Sequence, residues 1–382
     1  EVRKIHEFRP LNTLPPQYFF SQRSRFNIDL KKDELRGRLG IQDVRAWSEP
    51  EVYNNYTGLF FSELWFQFSP FDLVHFTLGR QAIKYDGQRL ISITNWNQTG
   101  TFHDLVLLQY HKAGKKLDAG FSYRIDKLYQ FFKKPCPECD YKALMFFWFE
   151  NKISNEFKYS VINITDGKEA IDSDKVLYRN TSGPRLFLKK DVFTFAGNAY
   201  YQFGRNPEDL PVRAFMFTIR IQAEVFENQQ FHSGLGYYSG NNELDTVQTS
   251  ENEFDQLYSS NHGFLGYIDF FKKEKKGGLI NYYLQWANKL GKKVNTEISG
   301  HAFWLSNNIP HPDYSIEDQI AASRFLGSEV DIQIQYALNQ NLELQFNYSL
   351  FSATKSFQSV NTWSTDALTH WVSLMLTYDF YR

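Results

Sequence analysis

The chain has 382 residues, 42 Lys and Arg against 43 Asp and Glu, and 36 Phe, 23 Tyr and 8 Trp beside only 2 Cys. A formal net charge of −1 argues against a nucleic-acid binder, and two cysteines cannot build a disulfide scaffold. No stretch approaches the roughly 20 apolar residues that a membrane-spanning helix needs, which still leaves membrane barrels open. Glu1 to Arg9 lack the apolar segment of a secretory signal, so any leader is expected to be already removed.

Period-two alternation recurs along the chain in blocks of about ten residues, the pattern of strands with one apolar face. A first strand is expected over 4–11 and a loop over 12–17. Phe20, Phe26 and Ile28 then share one face, followed by Leu35, Leu39 and Ile41. Leu117, Ala119, Phe121 and Tyr123 alternate with Asp118, Gly120, Ser122 and Arg124. The clearest blocks come last: Val330 to Tyr336, Leu342 to Leu350 and Val372 to Phe380 each alternate apolar with polar residues.

The connections alternate short and long. Short ones are read at 31–34, 69–72, 112–116, 151–155, 189–191, 226–230, 288–293 and 338–341. Long ones are read at 48–57, 82–101, 125–142, 165–175, 204–211, 240–277, 306–326 and 352–369. Tight turns at one rim and long loops at the other are the rhythm of an outer-membrane barrel. The fold class expected is therefore all-β, a transmembrane antiparallel up-and-down β-barrel of about 18 strands, or roughly 16 if weak strands merge. A single barrel over 1–382 is expected, with both termini periplasmic. Loops 82–101, 125–142, 240–277, 306–326 and 352–369 would be extracellular.

Four segments resemble the alginate-export family of outer-membrane β-barrels. They are Glu7-Phe8-Arg9-Pro10, Gln22-Arg23-Ser24-Arg25-Phe26, Gln42-Asp43-Val44-Arg45-Ala46-Trp47, and Gly79-Arg80-Gln81-Ala82 leading to Tyr85-Asp86-Gly87-Gln88-Arg89-Leu90. A weaker echo is His262-Gly263-Phe264-Leu265-Gly266-Tyr267-Ile268-Asp269. The resemblance implies a monomeric outer-membrane barrel, in a family whose best-known members export a polyanionic sugar polymer.

Alternation also assigns faces. Arg23, Arg25, Asn27 and Asp29 point to the lumen, as do Arg36, Arg38 and Gln42. A β-bulge at Asp43 is expected to return Arg45 to the lumen, and a similar break near Gly79 to return Arg80. Arg124 and Arg220 are inward by plain alternation, and Phe61 and Trp65 share the inward face with Glu63. Further along, the inward list turns acidic, with Glu224, Glu297, Glu329, Asp331 and Glu343. Facing walls of opposite charge would set a transverse field that orients dipolar or anionic solutes. The structural alternative is that neighbours such as Arg25 with Asp29, or Arg45 with Glu63, pair to hold the wall together. The cluster of Arg23, Arg25, Arg36, Arg38, Arg45 and Arg80 favours function, because so many like charges repel unless something anionic uses them.

Cys136-Pro137-Glu138-Cys139 lies in a long loop, where a local disulfide is favoured over half a zinc site or a redox pair. Trp47, Tyr53, Tyr56, Tyr200, Tyr201, Trp286, Trp304, Trp371 and Tyr381 are read as membrane girdles, and the aromatic excess as lipid-facing wall with no large core to fill. There is no His-Glu-x-x-His, Gly-x-Ser-x-Gly or phosphate-loop motif, so no enzyme, cofactor or metal is expected. The function expected is a porin-like channel or export conduit for an anionic or zwitterionic solute, including a polysaccharide. The alternative is a non-conducting barrel serving as an accessory subunit of an envelope assembly. Expected partners are outer-membrane lipid, an anionic solute or polysaccharide, and other envelope proteins docking on extracellular loops or periplasmic turns; nucleic acid is not among them.

Overall fold

The computed structural model describes residues 1–8, 17–47, 58–124, 141–171, 173–260, 262–271, 276–361 and 368–380. In chain order the strands are β1 (Val2–Phe8), β2 (Gln17–Lys32), β3 (Leu35–Ala46), β4 (Gly58–Phe71), β5 (Val74–Gln81), β6 (His103–Lys112), β7 (Lys115–Tyr123), β8 (Ala143–Lys152) and β9 (Phe157–Ala170). They continue with β10 (Ser173–Lys190), β11 (Phe193–Arg205), β12 (Pro211–Phe226), β13 (Gln229–Tyr238), β14 (Leu279–Leu290), β15 (Val294–Trp304), β16 (Phe325–Ala337), β17 (Leu342–Ala353) and β18 (Thr369–Tyr378). Each pairs antiparallel with its sequence neighbours, and β1 pairs with both β2 and β18, so the 18-stranded sheet closes on itself. Closure leaves no unpaired edge, the condition for a sheet to cross a bilayer.

The short turns carry residues that tolerate left-handed backbone. Asp33 (φ 51°), Asp191 (φ 52°) and Asn228 (φ 63°) sit at three of them; a short polar side chain makes that conformation affordable. The C-terminal strand ends at this rim, where Asp379 N–H donates to the Asn341 carbonyl. One expected long loop is absent. Strands β9 and β10 run on to Ala170 and from Ser173, so 165–175 is almost entirely strand rather than loop. Wall height is uneven: β5 to β8 have 8 to 10 residues each, whereas β9 to β12 have 13 to 18.

Outward positions are large and apolar. Phe26 is 62% exposed and Leu59 71%, and the same face carries Phe66, Ile219, Leu284 and Leu374. Such a surface is satisfied by hydrocarbon rather than water. One of the register slips falls at a place the alternation did not suggest. Gly40 pairs with Glu63 and Ile41 with Phe61, so Ser62 is an extra residue in β4. That bulge turns Phe61 outward, 47% exposed, while Glu63 and Trp65 stay inward with the Trp65 Nε1–H donating to Glu63 Oε1 at 3.2 Å. Phe61 therefore does not share the inward face.

The long-loop half of the barrel is filled, contrary to the expectation of a barrel without a core. Residues 82–102 and the described residues of 239–278 fold inward and meet each other: Tyr258 N–H donates to the Leu90 carbonyl at 2.9 Å, and Ser92 N–H to the Tyr258 carbonyl at 3.0 Å. Around this seam, loop residues Leu90, Ile91, Phe254, Leu265 and Ile268 pack against inward wall residues such as Leu144, Ile162 and Phe303. Tyr200 and Trp371 belong to this core too, 2% and 6% exposed, and are not girdle residues. Trp47 and Tyr201 do lie exposed on the outer face, Trp47 stacked on Phe20. Tyr53, Tyr56 and Tyr381 lie outside the described residues.

Candidate functional site: the barrel interior

Arg23, Arg25, Arg36 and Arg38 project inward from β2 and β3, as alternation requires. Two of the four are paired with carboxylates. Arg23 pairs with Glu1 and also donates to Asn95 in the inward loop. Arg38 grips Asp29 with Nε at 2.6 Å and Nη2 at 3.0 Å, and reaches Glu63 with Nη1 at 3.3 Å. Asp29 is thus the partner of Arg38, not of Arg25. Arg25 donates instead to the neutral Gln42 Oε1 at 2.6 Å and lies 5.6 Å from the centre of the Phe102 ring. Among the described residues Arg36 has no ion pair.

Arg45 and Arg80 are on the outer wall, a correction with a clear cause. The β2–β3 register runs unbroken through Asp43, and the β4–β5 register unbroken through Gly79. Without a bulge, parity sends Arg45 outward, where its Nε meets Asp43 Oδ2 at 2.6 Å rather than Glu63. Arg80 faces outward opposite Leu64 and forms a bidentate pair with Asp104 at 2.9 Å. Gly79 relieves crowding of another kind: with φ +119°, any Cβ would collide with the Leu64 carbonyl oxygen.

The remaining predicted groups divide in the same way. Arg124 lies over the Tyr141 ring, and Arg220 donates to His232 Nδ1. Glu224 Oε1 accepts from Gln222 and Gln230 near the short-turn rim, where Glu343 also lies at an inward position. Glu297 accepts from Tyr267 Oη at 2.9 Å. Glu329 and Asp331 are each only 1% exposed. They do not line an open lumen. Glu329 Oε1 accepts backbone N–H groups of Tyr267 and Ile268 at 2.7 and 2.9 Å, which latches the 239–278 loop to the wall. Gly266 is required there, because a Cβ would collide with the Glu329 carboxylate.

Further fixing points were hidden in the sequence. Arg179 bridges Asp166 on β9 and Asp255 in the loop, at 2.8 Å to each. Burial alone would raise the Asp255 carboxyl, but Arg179 and Lys168 more than offset it and hold it well below the usual range. Gln202 clamps the same residue, accepting its N–H at 3.0 Å and donating to its carbonyl at 2.7 Å. In the other loop, Asp86 accepts from Trp148 Nε1 at 2.9 Å and from Ser160. Burial pushes its carboxyl up against the pull of these hydrogen bonds and of Arg185. Arg89 stacks on Phe264 at 3.7 Å, joining one loop to the other. These two loops are held by directional contacts on several strands, which makes a fixed insert rather than a loose flap. Cys136 and Cys139 lie outside the described residues.

Toward the short-turn rim the interior is open. A cavity of about 680 Å³ lies along β12 to β16, lined mostly by carboxamide and carboxylate residues, with Lys289, Thr296, Ala287, Val225 and Phe226 among them.

Known structures share this architecture. OccAB1 of Acinetobacter baumannii superimposes with a TM-score of 0.64 at 12% identity, over 98% of this chain and 94% of that one. OprD of Pseudomonas aeruginosa gives 0.64 at 8% identity, over 99% and 91%. OpdK of Pseudomonas aeruginosa with vanillate gives 0.61 at 9%, over 99% and 96%. At such identities the likeness is one of fold. In sequence, no curated protein matches. Residues 51–362 do match the family model described as alginate export, and that span is most of the chain. With the closed barrel and its apolar outer wall already described, the chain belongs to the alginate export family and is a bacterial outer-membrane barrel of porin-like architecture.

Proposed function

We propose that the protein is a channel for small organic anions or zwitterions, with 1–382 forming one barrel whose short-turn rim and termini face the periplasm. The observation that carries this reading is the imbalance inside the wall of β2 and β3: Arg25 makes its direct contacts with a neutral amide and an aromatic ring rather than in an ion pair, and Arg36 has no acidic partner among the described residues. Cations left uncompensated beside water attract anions entering the lumen. Vanillate, present in the OpdK structure, is a carboxylate of the class these two arginines suit. The fixed loops act as the constriction through which such a solute passes. Purified protein in planar bilayers is expected to give discrete conductance steps with anion preference. Silent bilayers that receive correctly folded protein would refute the channel.

A second reading has its own support. The loop-filled upper half, with its buried aromatic core, equally suits a non-conducting barrel that presents a rigid outer face to other envelope proteins. Gentle extraction followed by native mass spectrometry separates the two. Stoichiometric companions together with silent bilayers favour the accessory role, and a lone 45.0 kDa species counts against it.

A further inference from the structure

The interior has an uncharged sector as well as charged ones. From the short-turn rim upward, β15, β16 and β17 align Asn295, Gln335 and Gln345 in one inward row, and Glu297, Gln333 and Asn347 in the next. Above these, Asp331 and Glu329 pass under the docked loop. The amide rows are wired together. Gln335 Nε2 donates to Gln345 Oε1 at 3.2 Å, Gln345 and Gln333 both donate to Asn347 Oδ1 at 3.0 and 2.9 Å, and Asn347 Nδ2 donates to Ser373 Oγ at 2.8 Å. Asn347 is wholly buried and anchors the set, which fixes how the other amides point. Gln333 and Gln335 thereby each spend an N–H on a neighbour, their carbonyl oxygens meet no donor among the described residues, and both side chains line the 680 Å³ cavity.

The chemistry of that cavity is selective. Glu224, Glu227 and Glu297 line it beside Lys289, so this stretch of wall disfavours an anion as a bound ligand, whatever the arginines of β2 and β3 attract into the lumen. Asn295 adds a group that both donates and accepts. Strands lie about 4.8 Å apart, so neighbouring groups within a row repeat at a spacing comparable with one sugar ring. A hydroxyl is the uncharged group that answers both kinds of partner: it donates to the Gln333 and Gln335 carbonyls and to Glu297, and accepts from amide N–H groups. We infer that this sector is a binding site for an uncharged polyhydroxylated solute, a neutral oligosaccharide entering from the short-turn rim. Transport through the barrel rests on the channel reading; binding at this wall does not.

The test is calorimetric titration of the full chain in an amine-oxide detergent, since a maltoside headgroup would compete. Maltohexaose is the neutral probe and a galacturonate hexamer the acidic one. Maltohexaose is expected to bind in the millimolar range and the acidic probe more weakly. The double variant Gln333→Leu, Gln335→Leu is expected to weaken maltohexaose about ten-fold, the loss of one or two hydrogen bonds. The variant Gln333→Glu, Gln335→Glu keeps size and polarity and should reject the acidic probe further, which guards against a folding defect in the first. No heat with maltohexaose, tighter binding of the acidic probe, or a leucine variant equal to wild type would each overturn the assignment. Binding without bilayer conductance would instead remove the channel and leave this site standing.

Discussion

Two stretches of the same inner wall solve opposite problems. On β2 and β3 the interior carries Arg23, Arg25, Arg36 and Arg38, yet Glu1, Asp29 and Glu63 neutralise two of the four. On β15 to β17 the wall is built from amides whose hydrogen bonds close on one another. The first stretch shows that a count of like charges is not a field: partners on the neighbouring strand decide how much charge the lumen sees. The second shows that a wall with little formal charge can still be chemically particular.

The largest effect expected is on the loop that separates the two stretches from the long-loop rim. Glu329→Ala leaves two buried backbone N–H groups without their acceptor, at about 1–3 kcal/mol for each. Single-channel recordings should show a larger, noisier conductance while the barrel keeps its heat-modifiable migration. Unchanged recordings would mean that the loop is held elsewhere. Backbone chemistry should divide the two halves next. Gly79→Val on β5 meets both a left-handed φ and the Leu64 carbonyl, and should cost about 2 kcal/mol or more of stability. At Gly300 on β15 nothing lies within 4 Å, and Gly300→Ala should fold with ordinary yield.

Acidity offers a subtler division. Asp255 has a depressed carboxyl, so its contribution is complete above the usual carboxylate value and is lost only as pH falls through its own lower one. Asp86 is displaced the other way by burial, so its ionised form costs stability above its raised value, and that cost disappears as pH falls toward the ordinary carboxylate range. Hydrogen exchange on moving from neutral to mildly acidic pH should leave the amides around Asp255 protected and increase protection around Asp86. Parallel loss of protection in both loops would contradict these opposite displacements. The smallest effect belongs to the outer wall. Arg80→Ala breaks a surface pair with Asp104 and should cost about 1 kcal/mol or less, with no change in ion preference.

Much of the barrel was legible because period-two alternation is a direct record of one face in lipid and one not. Faces near irregularities were not legible. The extra residue is Ser62, beside two strand positions that look regular, whereas the suspected breaks at Asp43 and Gly79 do not occur. Nor was the inward fold of the loops readable, because the contact between Ile91 and Tyr258 joins distant segments that share no periodic pattern. Arg179 and Arg185 did leave a signal. They alternate with Tyr178 and Leu186 inside an 18-residue strand, but alternation alone gives no sign of the loop residues they hold. Glu329 and Asp331 alternate correctly, but alternation could not foretell that a loop would lie over them.

The decisive measurement is the reversal potential of purified wild-type barrel across a KCl gradient, beside the same measurement on Arg25→Ala, Arg36→Ala and on Arg38→Ala. A unit charge a few ångströms from a passing ion is worth about 1 kcal/mol in water, roughly a five-fold bias. Anion preference should therefore fall by up to about that factor in the double variant and much less in Arg38→Ala, whose charge Asp29 and Glu63 already answer. Equal reversal potentials in all three proteins, or a wild type that prefers cations, would contradict a lumen biased by Arg25 and Arg36.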